Sequence, residues 1–245
     1  MEKTFLLALF SIILSTTLYA QANNTECGCP VNQFTDVNAE AVFSFSNDRA
    51  IAVCGYKNTD DAHPTYSEFV LAVCGENKVI DFWDATTVCR LTSHNDTLFV
   101  QELYPLPIAD NFEFEETVWT TEKIYFTDNK VNRKKSVNSG IRKYSAAEIK
   151  EVLETYRSAG CGFDESKMKI ANQLFVAALS GSKEAWRSFT EFKDRFDVPD
   201  GAYSQEYRVL KEMLAQWEAQ EDHTEIINDL SVEQATPSGH IQIVS

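Results

Sequence analysis

The feature that most constrains the fold is a change of period near residue 145. Between Val42 and Thr127 the chain is a series of short β-branched and aromatic runs: Val42–Phe45, Ala50–Tyr56, Phe69–Gly75, Lys78–Trp83, Val88–Thr92, Thr97–Tyr104 and Val118–Thr127. Between them stand Ser46-Asn47-Asp48, Asn58-Thr59-Asp60-Asp61, Gly75-Glu76-Asn77 and Ser93-His94-Asn95-Asp96. These residue types tolerate tight turns or hydrogen-bond back to their own backbone. The pattern predicts antiparallel strands in a meander, folded as a sandwich, an open barrel or a curved sheet. Pro105 and Pro107 end a strand because neither can donate to a ladder.

From Ser145 the apolar positions recur at helical spacing. Ser145 and Glu148 form a capping-box sequence, each side chain satisfying an N–H that the first helical turn leaves unpaired. Ile149, Val152, Leu153 and Tyr156 then line one face. Asp164 starts a second helix, with Ile170, Ala171, Leu174, Phe175, Ala178 and Leu179 inward and Gly181 at its end. Ser182 starts a third through Ala185, Phe189, Phe192 and Phe196, and a fourth after Pro199-Asp200 carries Tyr203, Tyr207, Leu210, Leu214 and Trp217. The expected class is α+β: an N-terminal antiparallel β domain followed by a small four-helix antiparallel bundle. The expected organisation is a signal peptide over 1–20, an irregular segment over 21–40, the β domain over 41–129, a basic connector over 130–145, the helical domain over 146–221 and an acidic tail over 222–245.

The leader sets the compartment. Lys3 precedes the apolar run Phe5–Leu14, and Ala20 stands before Gln21 as a cleavage position, the layout of a secretory signal. The run is too short to span a bilayer, which takes about 20 apolar residues. The expected location is secreted or periplasmic, with no membrane span after cleavage. All six cysteines, Cys27, Cys29, Cys54, Cys74, Cys89 and Cys161, follow the leader, and in an oxidising compartment they read as up to three disulfides. Metal or redox chemistry at Cys27-Gly28-Cys29 is the weaker reading, because no His stands at ligand spacing. Ile51-Ala52-Val53-Cys54-Gly55 recurs as Leu71-Ala72-Val73-Cys74-Gly75. That recurrence predicts neighbouring strands with a Cys54–Cys74 cross-link, and Cys161 is left to join Cys27 or Cys29.

Charge is placed unevenly along a chain of net charge −15. Residues 21–129 hold 18 acids against 5 bases, while 130–145 hold six bases and no acid. Seven acids and no Lys or Arg follow Lys211. Such acidity excludes a nucleic-acid partner on electrostatic grounds. In the connector, Arg133, Lys134, Lys135, Arg142 and Lys143 are the candidate contacts to an anionic ligand or to the chain's own acidic tail, and an exposed loop or hairpin tip is the plain alternative. The sequence lacks G-x-S-x-G, H-E-x-x-H, P-loop and G-x-G-x-x-G motifs. Of four histidines, only His63 beside Asp60 and Asp61, and His94 beside Asp96, stand near acids in the β region. No catalytic residue, cofactor or metal site is therefore assigned. The expected role is that of an exported, disulfide-containing, non-enzymatic binding or interaction protein of the cell envelope or secretome, with an unknown protein or glycan as partner. The alternatives are a hydrolase with an unrecognised site in the β domain and a structural accessory protein.

Overall fold

The computed structural model describes residues 27–30, 38–59, 63–76 and 78–233, with side chains described as far as residue 220. The expected signal peptide lies outside the described residues. Eight antiparallel strands form one sheet: β1 (Ala41–Ser44), β2 (Ala50–Asn58), β3 (Thr65–Val73), β4 (Lys78–Trp83), β5 (Val88–His94), β6 (Thr97–Leu106), β7 (Glu115–Thr127) and β8 (Lys130–Val137). Their order is β1-β2-β3-β5-β6-β7-β8, with β4 paired to β3 beside the main path. Five helices follow: α1 (Ala146–Ser158), α2 (Glu165–Leu179), α3 (Lys183–Thr190), α4 (Phe192–Phe196) and α5 (Ala202–Glu233). The α+β class and the order of its two parts are as expected.

The sheet curls so that its two halves share a core. Ile51, Phe69 and Leu71 from β2 and β3 are buried with Leu98 and Ile124 from β6 and β7, each such side chain stabilising the fold by roughly 1.5–3 kcal/mol. Phe69 stacks on Trp83 at 4.8 Å between centroids. Phe45, just after β1, meets Phe126 of β7 edge-on at 5.0 Å, and the Ser46 amide donates to Asp96 Oδ1 at 2.9 Å. Among the described residues no pairing joins β1 to β8, so the curl stays open, nearest to the open-barrel arrangement.

Gly55 makes the tightest approach within the sheet. The β2–β3 register shifts between Gly55 and Tyr56, and Gly55 has φ +155°. A Cβ there would stand 2.3 Å from the Glu68 carbonyl oxygen and 2.5 Å from Phe69 Cα. Only glycine fits.

Two disulfides close the outer side of β2 and β3, joining Cys27 to Cys74 and Cys29 to Cys54. The segment Cys27–Cys29 lies over Ala52, Cys54 and Val70, so β2 is buried on both faces. The expected Cys54–Cys74 bond is overturned by the register. The two strands are neighbours, but they run antiparallel and Cys54 stands opposite Val70, four residues from Cys74. Four residues of strand span about 14 Å, whereas a disulfide needs Cα atoms within about 7 Å. A Cys161 link is likewise overturned: Cys161 is exposed and free, and Cys89 is free and buried. Two disulfides among the described residues fit an exported protein. Among the described residues no helix is long and apolar enough to cross a membrane.

The helix starts follow their caps. Ser145 and Glu148 form the reciprocal capping box, Asp164 accepts from the Ser166 amide and Ser182 from the Ala185 amide. Helix α2 is the centre of the helical part, buried over Ile170–Ala177 and at Leu179. Three expectations change. The third helix breaks at Glu191 into α3 and α4. Helix α5 runs on to Glu233, into the stretch expected to be an irregular tail. Residues 130–137 are not a connector but β8, reached through Asp128 and Asn129, both at positive φ, as a two-residue hairpin requires. The helical core also takes in Leu106, Ile108 and Trp119 from the sheet. Trp119 Nε1 donates to Gln216 Oε1 of α5 at 3.2 Å.

Candidate functional site

Strands β6, β7 and β8 carry different chemistry on their two faces, because successive side chains point to opposite sides. The inner face begins as apolar core with Leu98, Val100 and Ile124. Toward the helical end it becomes polar with Glu102, Thr120, Glu122, Arg133 and Lys135, and β4 closes over it. Together with Asp81, Trp83, Asp84 and Thr87 these residues line a cleft of about 320 Å³.

Each carboxylate in the cleft is occupied. Glu122, with a side chain only 7% exposed, accepts from Arg133 Nε at 2.6 Å and from an Arg133 terminal nitrogen at 3.0 Å. Glu102 accepts from Lys135 Nζ at 2.7 Å, Trp83 Nε1 at 3.2 Å and Thr120 Oγ1 at 2.6 Å. Arg133 also reaches β4, donating to the Ile80 carbonyl at 3.2 Å and to Asp81. Glu122 is the main reason its guanidinium is held above the usual arginine range. Charge pairing through Arg133 therefore ties the open side of the sheet together. A general base needs a free lone pair aimed at a substrate, and both oxygens of Glu102 and of Glu122 already accept.

The outer face is built otherwise. Cross-strand neighbours run Arg90, Gln101, Thr121, Ser136 in one row and Thr92, Phe99, Lys123, Lys134 in the next. Tyr125 opposite Asn132 and Thr127 opposite Lys130 continue it toward the hairpin tip. These outer-face positions hold no acid. Lys123, Lys130 and Lys134 are exposed, and Lys123 Nζ lies 5.8 Å from the Phe99 ring centroid. Arg90 is drawn to the edge of the patch by Glu116 at 3.1 Å. Among the described residues no ion pair engages Lys123, Lys130 or Lys134.

The five predicted contact residues are thus dispersed. Arg133 and Lys135 face inward, and Lys134 faces outward. Arg142 pairs with Glu148 at 2.6 Å, and that bond is the first reason the Glu148 carboxyl is lowered to about 2. Lys143 Nζ lies 5.5 Å from the Trp217 ring centroid. The Lys143–Trp217 contact is to α5, yet none of the five has its described partner among the acids of the C-terminal stretch. Asp96 accepts from the Ser46 hydroxyl and amide, which lower its carboxyl, so its oxygens are engaged away from His94. Asp60 and Asp61, beside His63, lie outside the described residues. Among the described residues no group of three His, Cys, Asp or Glu could hold a metal ion.

The sequence reading passed over Lys123, Phe99 and Tyr125. The signal was the alternation Thr120, Glu122, Ile124 against Thr121, Lys123, Tyr125. Comparison with protein-family models, with curated proteins and with solved structures returns no match to this chain.

Proposed function

We propose that the chain is an exported, non-enzymatic binding protein of the cell envelope or secretome, and that it meets its partner through the outer face of β5–β8. The observation that carries this reading is an exposed, acid-free face with unpaired lysines on a chain of net charge −15. The acids and cations of the cleft satisfy one another, whereas Lys123 and Lys134 stand directly opposite each other. Like charges in that position destabilise a sheet, and an anionic partner offsets the cost. The two disulfides support the exported part of the reading. The test is capture from an envelope extract with the full mature chain, beside the variant Lys123→Glu/Lys134→Glu. Material held by the first and lost by the second is expected. Recovery of the same material with both variant and parent overturns the assignment to this face.

A further inference from the structure

Resting on that reading, we infer that the ligand of the outer face is an acidic polysaccharide. The face joins three kinds of group in one plane. Phe99 and Tyr125 offer ring faces, Tyr125 being 37% exposed, and aromatic rings suit partners with an apolar side and a wet side. Thr92, Gln101, Thr121, Asn132 and Ser136 surround them with hydroxyls and amides, which both donate and accept and so match sugar hydroxyls. Lys123 and Lys134 form one adjacent cationic pair, with Lys130 farther along the strand at the tip. At a strand spacing of about 4.8 Å the four strands span roughly 14 Å, room for a short run of sugar units lying flat.

Charge spacing separates this occupant from other polyanions. A nucleic acid presents a phosphate at every step and is held by many cations together, whereas this face interleaves few cations with neutral polar groups and the rest of the chain repels dense negative charge. Adsorption to anionic lipid draws on clusters of about 4–8 basic residues, more than the patch has unpaired. A carboxylated glycan, with its charges set apart by ring atoms and hydroxyls, matches the pattern of lysine pair, rings and amides.

The test is calorimetric titration of the full mature chain with hyaluronan, alginate and polygalacturonate. Each is run beside its carboxyl-reduced, neutral derivative, with polyglutamate and phosphatidylglycerol vesicles as further probes. At least one acidic glycan is expected to bind, more weakly as salt rises, and its neutral derivative to lose that binding. Two exposed charge contacts set the scale of the loss, so Lys123→Glu/Lys134→Glu should weaken binding by at least about tenfold. Lys123→Arg/Lys134→Arg should retain it, and Tyr125→Ala should weaken it without altering the salt dependence. Binding to none of the three glycans overturns the inference, as does equal binding by the charge-reversed variant or by the neutral polymers. Tighter binding of polyglutamate or of vesicles does so too. If the glycans fail while capture still depends on Lys123 and Lys134, the ligand class falls and the binding face stands.

Discussion

Replacing Arg133 by Ala would strand the most buried carboxylate of the cleft. Glu122 is 7% exposed at its side chain, while Arg133 is 36% and Asp81 42% exposed. Breaking a fully buried pair by removing one partner costs about 3–5 kcal/mol. The guanidinium lies partly in solvent, so water reaches the vacated place, and about 2–3 kcal/mol is expected. The Asp81 contact is too exposed to add much. For a chain of this length that loss lowers the melting temperature by about 4–12 °C. The pH dependence carries a definite sign. An orphaned, desolvated carboxylate titrates above its ordinary value of about 4.3. A folded-state pKa raised in this way favours the folded variant below the unfolded value and destabilises it as pH rises. The penalty of Arg133→Ala against the parent should therefore be largest near pH 7 and shrink toward about pH 4.5. Urea unfolding at both pH values measures it, and Glu122→Gln with the double variant closes a cycle whose coupling should be about 1–3 kcal/mol. A loss under about 0.5 kcal/mol at pH 7, or an equal loss at both pH values, refutes the claim that this pair holds the open side of the sheet.

Four further outcomes follow from the same structure. Gly55→Ala pushes a methyl group into the Glu68 and Phe69 backbone and should cost about 1–3 kcal/mol; an unchanged melting curve would mean that the close β2–β3 approach is absent. Peptide mapping without reductant should recover Cys27 linked to Cys74 and Cys29 linked to Cys54, with Cys161 labelled by a thiol reagent at once and Cys89 only after unfolding; a Cys54–Cys74 peptide contradicts the register. The Glu148 carboxyl is lowered to about 2, so its contribution is present above the ordinary carboxylate pKa and is lost as pH falls from there toward 2. It is an exposed contact, so Glu148→Gln should cost no more than about 1 kcal/mol at pH 7 and nothing near pH 2. Gln220 accepts from the Val137 amide at 2.8 Å and donates to its carbonyl at 3.1 Å, standing in for the next strand at the β8 edge, and Gln220→Ala should cost about 1–3 kcal/mol by unfolding.

How much of this was legible depends on what a residue's neighbours had to supply. The first seven strands were readable because β-branched runs and turn clusters are local properties, and the helix starts because Ser145, Asp164 and Ser182 satisfy their own first turns. Strand β8 was not readable. Its inward positions include Arg133 and Lys135, which suit the interior only because Glu122 and Glu102 wait on neighbouring strands, and no test of hydrophobic alternation can register that. The break at Glu191 was hidden because Ala185, Phe189, Phe192 and Phe196 are all buried, at spacings that continue a helix across it. The two similar pentapeptides gave the correct neighbours and the wrong cross-link, since antiparallel pairing sends equivalent residues of two strands to opposite ends. The binding face was missed for a related reason. Counting charge by segment placed Lys123 in an acidic stretch and Lys134 in a basic one, although they are cross-strand neighbours. In a sheet the unit that meets a ligand is a face, and a face collects every second residue of several strands. Counted that way, β6 and β7 turn Glu102 and Glu122 inward to Lys135 and Arg133, and leave Lys123 and Lys134 outside without an acid between them.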